Sequence, residues 1–300
     1  VPVEAVSLDG IQVETGERCR RRPGSGPETA RLWEEARKAL EVARWSREQG
    51  VLRFSVLEHQ RELDARTLRV TAQDARPRAG FYDESPYRSI PADRLAAGGY
   101  IQLAPDGTWD YFAPDADVLL SESFLEGHCF RVQAPPRAEP GLIGLAFEPV
   151  PEREVPEIGG VLWLDRGSAE LRRLDFRYAS LPFRHGDWPQ VGGRVEFERL
   201  ATGMWIVRRW HIRMPLTARE TGGFGDGGRR QLELETLAET GAEVRSVATR
   251  GGDLVSDALG ATLHGTLTGS EGGLGPALSG ARVEVLATGR AALTGDDGAF

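Results

Sequence analysis

Val161-Leu162-Trp163-Leu164-Asp165-Arg166-Gly167-Ser168-Ala169-Glu170-Leu171-Arg172-Arg173-Leu174-Asp175-Phe176-Arg177-Tyr178 decides the fold class. Val161 to Asp165 is a short apolar run ending in a charge, and Arg166-Gly167-Ser168 carries turn residues. From Leu171 the pattern becomes a strict alternation. Leu174, Phe176 and Tyr178 fall on one face and Arg173, Asp175 and Arg177 on the other, because successive side chains of a strand point to opposite sides. A turn this short joins antiparallel strands; a parallel pair needs a crossover of a dozen or more residues.

The same grammar extends outward in both directions. Leu142 to Phe147 reads as a short apolar strand upstream. Downstream, Val195 and Phe197 oppose Glu196 and Glu198, and after Thr202-Gly203 the strand Trp205 to Met214 returns. Leu232 and Leu234 are expected to pair with Val244 to Val247 across a turn at Thr240-Gly241. Nearer the N-terminus, Leu52, Phe54 and Val56 alternate with polar neighbours, and Leu68 and Val70 follow Asp64-Ala65-Arg66 as a partner strand. Ala104-Pro105-Asp106-Gly107 is a strong turn signal flanked by Tyr100, Ile101, Trp109 and Tyr111. Two short helical pieces are expected, one from Ala92 to Ala97 and one from Val118 to Leu125. No β–α–β alternation occurs, which excludes a doubly wound fold. Hairpins in series predict an antiparallel sheet with one face covered and one wetter.

One long helix precedes the strands, from about Glu28 to Gln49. Leu32, Trp33, Ala36, Leu40 and Ala43 recur at three- and four-residue spacing and form a single stripe. Glu28, Glu34 and Glu35 lie towards its N-terminal half, and Gly50 is a natural stop. A single stripe predicts a helix lying on the sheet. The fold class is therefore α+β: a long N-terminal helix packed on a curved antiparallel β-sheet, followed by the start of a small β-sandwich. Residues 1–15 read as the exit strand of a preceding module and 16–250 as the helix-plus-sheet domain. Residues 251–260 read as a linker, and 261–300 as a truncated sandwich of short Gly-punctuated strands. The chain opens on Val1 and stops at Phe300 directly after the turn signal Asp296-Asp297-Gly298, so it reads as an internal fragment.

The chain has 300 residues, 40% apolar and 27% charged, which excludes a disordered or fibrous protein. Mean hydropathy is −0.35, and no run of eighteen apolar residues is present to span a bilayer. A net charge of −8 argues against general affinity for nucleic acid or anionic membrane. Lys38 is the only lysine, so arginine carries nearly all the positive charge.

Motifs with chemistry are few. His59, His128, His185, His211 and His264 form no HExxH and no pair one helical turn apart. His211 shares a strand face with Arg209 and Arg213, which predicts a solvated position. His128 beside Cys129 does not make a catalytic pair, since strand neighbours face opposite ways. Neither a GxSxG elbow nor a P-loop is present, and Gly222 to Gly228 reads as a hairpin loop because no helix follows it. Glu196 and Glu198 share a face, as glycosidase carboxylates do, but a solvated face accounts for them. No catalytic residue, cofactor or metal is expected.

Cys19 and Cys129 are too far apart for a CxxC pair; they are either one disulfide or two unrelated buried thiols. In an oxidising compartment the bridge is the expectation. Trp163, Trp205 and Trp210 lie on central strands, and Trp33 and Trp45 on the helix. If helix and sheet face one another, these rings either fill an ordinary core or line an apolar ligand pocket; Trp33, Trp163, Trp205 and Trp210 are the candidate lining.

Near the C-terminus, Leu263-His264-Gly265-Thr266-Leu267, then Pro276-Ala277-Leu278-Ser279-Gly280-Ala281-Arg282-Val283-Glu284-Val285, then Ala292-Leu293-Thr294-Gly295-Asp296-Asp297-Gly298-Ala299-Phe300 resembles the opening of a carboxypeptidase regulatory-like domain. That family is a prealbumin-type sandwich classed with carbohydrate-binding-like folds, and it implies an accessory module without catalytic residues. Gly295 stands where the family more often has Asp. Val1 to Glu14 resembles the exit strand of another such module, as found before the plug of TonB-dependent transporters. Val118-Leu119-Leu120-Ser121-Glu122-Ser123-Phe124-Leu125 is similar to a segment of outer-membrane-associated proteins carrying these modules. The order of long helix, hairpins and Gly160-Val161-Leu162-Trp163-Leu164-Asp165 resembles the half-barrel of periplasmic lipoprotein carriers.

These resemblances imply a non-catalytic binding or scaffold protein of the bacterial envelope, periplasmic or outer-membrane associated. Its partner would be an envelope protein or outer-membrane component, with a lipid or glycan ligand and no nucleic acid. The alternatives are a lipid or lipoprotein carrier using a cavity in the sheet domain, and an accessory segment of a TonB-dependent transporter or peptidase.

Overall fold

The structure, a computed structural model, describes residues 26–81, 85–151, 153–182, 188–221, 231–257, 269, 278–285 and 290–295. The first described element is helix α1 (Pro27–Glu48). Pro27 occupies the first turn, where its missing N–H removes nothing the helix needs, and Arg47 in the last turn suits the dipole. The buried side of α1 carries Leu32, Trp33, Ala36, Leu40 and Ala43, with Ala36 and Leu40 wholly excluded from solvent. Trp45 lies off this stripe and is 53% exposed, so it is no part of the space under the helix.

A hairpin follows: β1 (Leu52–Asp64) and β2 (Val70–Phe81) pair antiparallel with Leu63 opposite Val70. The Asp64 carboxylate closes the turn by accepting from the Thr67 backbone N–H at 2.8 Å and hydroxyl at 2.7 Å. Helix α2 (Ala92–Gly98) leads into the small hairpin β3 (Ile101–Leu103) and β4 (Trp109–Tyr111). The single helix expected over Val118 to Leu125 is two short ones, α3 (Ala116–Leu119) and α4 (Glu122–Gly127). Asp115 caps the first by accepting from Val118 N–H, and Ser121 caps the second by accepting from Phe124 N–H. A serine hydroxyl that satisfies the backbone of a new first turn starts a helix there, so Ser121 divides what the apolar pattern joins.

Eight further strands complete the large sheet: β5 (His128–Gln133), β6 (Leu142–Pro149), β7 (Glu157–Asp165), β8 (Leu171–Ala179), β9 (Gly192–Arg199), β10 (Trp205–Thr221), β11 (Gln231–Thr249) and β12 (Leu254–Asp257). The strand order is β2-β1-β11-β10-β9-β8-β7-β6-β5, every pairing antiparallel, with β12 also on β11. Strands β5 to β11 are neighbours in sequence order. The hairpin β1–β2 departs from this order: it joins the sheet beyond β11, with His59 opposite Gly241.

The hairpin expected at Thr240-Gly241 does not exist; β11 runs straight through both residues. Gly241 is needed there for space. A Cβ at that position would lie 2.5 Å from the Trp210 carbonyl oxygen and 2.6 Å from Nε2 of His59. Leu254–Asp257, read as linker, adds a strand edge to β11 at Ser246 to Ala248.

One face of the sheet carries the core. Ile158, Leu162, Leu174, Val195, Trp210 and Ile212 belong to the same buried cluster as the α1 stripe and Leu95, Tyr111 and Phe124 of the β2–β5 connection. Helix α1 lies across this inner face against β10 and β5 to β8. Two tyrosines tie the connection down: Tyr178 donates to the Phe112 carbonyl at 3.0 Å and Tyr87 to that of Pro114 at 3.1 Å. The outer face is an ion-pair lattice. Arg209 bridges Glu243 and Glu196, and Arg173 is held by Glu139 and Asp175. Of the predicted C-terminal sandwich, the hairpin β13 (Arg282–Val285) with β14 (Arg290–Leu293) is described. The segment 1–15 and the loop Gly222 to Gly228 lie outside the described residues.

Candidate functional site: a cavity between the helix and the sheet

A cavity of about 380 Å³ lies between the C-terminal half of α1 and the inner face of β1, β10 and β11. That is within the usual size of small-molecule sites, about 300–1,000 Å³. Its lining includes the apolar side chains Leu52, Phe54 and Val56 of β1, Val207 of β10 and Val244 of β11. Polar residues line it too, among them Ser46 and Arg47 of α1, Glu58, Arg78, Ser85 and Asp115.

Two bulges build this wall. In β10 the register shifts between Val207 and Arg209, leaving Arg208 as the extra residue. Strict alternation would put Trp205 and Trp210 on opposite faces; one inserted residue flips the parity, and both rings line the cavity. In β11 the register shifts opposite Ser55 and Val56, so Val244 and Val247, three residues apart, are both buried in the apolar cluster with Leu52 and Val56. Arg208 is turned aside, donating to the Val244 carbonyl and pairing with Glu198 at 3.0 Å.

The cavity has no uncompensated arginine. Arg47 meets Asp117 at 2.6 Å, Arg44 meets Asp117 at 3.7 Å, and Arg78 meets Glu58 at 3.2 Å. Burial raises the Asp115 carboxyl above its usual range, while the Val118 N–H works in the opposite direction. Tyr87 packs edge-on against Trp210 with ring centroids 5.5 Å apart.

Of the four tryptophans proposed as lining, the cavity thus uses Trp205 and Trp210. Trp33 is buried in the core beside Phe130, with centroids 5.7 Å apart. Trp163 is on the outer face, where its indole N–H donates to Asp175 at 3.0 Å and Arg173 lies over its ring at 5.7 Å. The sequence carried no signal for Ser46, Arg47 and Asp115, because chain distance hides their convergence.

The remaining candidates are dispersed. Cys129 is half-buried on β5 opposite Glu148, and no described cysteine is free. Its expected partner Cys19 lies outside the described residues. His128 turns into the core, with ring nitrogens 2.8 Å from the Phe124 carbonyl and 3.1 Å from that of Ile158; burial pushes its pKa down to about 4. His211 is not the solvated residue its neighbours suggested. Burial, helped by Arg213, holds it down at about 4 as well. Beside it Glu239, 3% exposed, is shared by Arg61 at 3.1 Å, Arg213 at 2.8 Å and His59 at 3.4 Å. Glu196 and Glu198 pair with Arg209 and Arg208. Among the described residues no group of three or more His, Cys, Asp or Glu side chains could hold a metal ion, and no helix is long and apolar enough to cross a membrane.

No protein-family model matches the chain, so the carboxypeptidase regulatory-like module expected at 261–300 finds no support there. No curated protein matches either. Among solved structures, a DUF1329 family protein from Desulfovibrio piger aligns over 74% of this chain and 95% of its own, at 9% identity and a TM-score of 0.28. Likeness at that level transfers neither fold nor function.

Proposed function

We propose that this protein is a non-catalytic binding protein that holds a lipid-like small molecule between α1 and the sheet. The observation that supports the reading is the cavity itself: about 380 Å³ of space lined by Leu52, Val56, Val207 and Val244 as well as polar side chains, with two register shifts in its wall. Carriage or display of that ligand at the bacterial envelope is the role that fits, with an envelope component as partner and an extracytoplasmic setting.

Native mass spectrometry of gently purified protein tests the reading. The expected result is a co-purifying mass, or uptake of added lipid, that disappears on denaturation and is reduced when Val56→Trp fills the apolar wall. An apo mass that stays unchanged after incubation with lipids would overturn it.

A further inference from the structure

The corner where α1 meets the start of β1 exposes large apolar side chains beside the cavity. Val51, Phe81 and Leu254 are 41%, 47% and 61% exposed there. Strand register brings two of them together. Phe81 on β2 is opposite Arg53 on β1, Arg53 is opposite Ala248 on β11, and Ala248 is opposite Leu254 on β12. Directly opposite residues of antiparallel strands share a face, so Phe81, Arg53 and Leu254 form one row across four strands. Arg250 ties the third to this row. Its guanidinium lies over the Phe81 ring at 5.4 Å and donates to the Gly50 carbonyl at 3.5 Å, which places the Gly50-Val51 backbone alongside. Phe81 also lines the cavity. A lining residue that is half-exposed marks where a cavity opens, so the row borders the opening.

Charge selects what covers this corner. Among the described residues Arg53 and Arg250 meet no carboxylate, whereas Arg78 has Glu58 and Arg47 has Asp117. Exposed apolar groups rimmed by polar ones mark an interaction surface. Here the rim is two arginines with donors to spare, a combination that suits acyl chains and phosphate oxygens at once. The net charge of −8 opposes any general attraction to an anionic bilayer, which confines the contact to this corner.

We infer that this corner docks on an anionic phospholipid surface, with Val51, Phe81 and Leu254 entering the interface and Arg53 and Arg250 on lipid phosphates. Docking there sets the opening of the cavity against a source of lipid. That role rests on the binding reading above; the docking itself does not.

The test is co-sedimentation of the full chain with phosphatidylcholine vesicles, with and without phosphatidylglycerol, run beside Nile red binding in the absence of vesicles. Binding is expected to be stronger with phosphatidylglycerol and to weaken as salt is added. Arg53→Gln with Arg250→Gln should lower it about tenfold or more, since one arginine near an anionic surface is worth roughly fivefold. Val51→Glu with Leu254→Glu should abolish it on both kinds of vesicle. None of these four residues lines the cavity, so each double variant should hold Nile red as the parent does, with circular dichroism reporting an intact fold. No vesicle binding by the parent, or binding that neither double variant alters, would overturn the docking. So would a dimer that Val51→Glu with Leu254→Glu dissolves, since a second copy would then be the occupant. Vesicle binding by a parent that takes up no Nile red would uphold the docking and overturn the cavity reading instead.

Discussion

At the scale of single residues, the buried histidines show how packing overrides local pattern. His128 precedes a cysteine on a strand, and nothing in its neighbours marks it as special. In the fold it stacks on Phe124, with centroids 4.1 Å apart, and lies 3.7 Å from Glu157, whose other oxygen is held by Arg153. Burial pushes its pKa from 6.5 down to about 4, although the two carbonyls beside it favour the charged ring. A histidine kept neutral by folding makes the unfolded chain the better proton acceptor between those two values. Stability is therefore full above about pH 6.5 and is lost as the pH falls towards 4, by on the order of 3 kcal/mol for this group. His59 and His211 are shifted the same way and add to the loss. Thermal unfolding from pH 7.5 to 4.5 should show a falling Tm, with a shallower slope in His128→Gln. A slope unaltered by that substitution would remove His128 from the account.

Among elements, α1 and β10 were read with different success for a physical reason. The stripe Leu32, Trp33, Ala36, Leu40 and Ala43 is the buried side of α1 because helical side chains three and four apart share a face whatever they pack on. The consequence is measurable. Leu40→Ala, at a wholly buried position, should cost about 2–5 kcal/mol, whereas Trp45→Ala, half-exposed, should stay within about 0.5 kcal/mol. Urea denaturation of the two variants distinguishes a docked helix from a loosely held one, in which the costs would be similar. Strand β10 resisted the same treatment. Its alternation is legible on either side of Arg208, but a bulge is invisible to a period-two pattern, so Trp205 and Trp210 converge only once Arg208 is set aside. Thr240-Gly241 misled for the opposite reason: a dipeptide typical of turns is used inside a strand because His59 and Trp210 crowd it.

In the whole molecule, the seven strands β5 to β11 follow one another across the sheet as short connections dictate, while β1–β2 docks on β11 from far away in sequence. That long-range closure creates the wall on which the cavity depends. A bridge between Cys19 and Cys129 would add a second long-range tie, contributing about 4–5 kcal/mol in the chain-entropy model. Alkylation of the denatured, non-reduced protein should then modify neither cysteine, and modification of either would rule the bridge out. The sequence by itself determined the hairpin succession from β6 to β10 and the inward stripe of α1, because these follow from backbone geometry over a few residues. Tertiary structure alone decided which strand closes the sheet, where the bulges fall and that Trp205 and Trp210 line one cavity with the end of α1. Those depend on contacts between residues scores of positions apart, chosen by the volume and hydrogen bonding of the packed interior, and no local pattern records them.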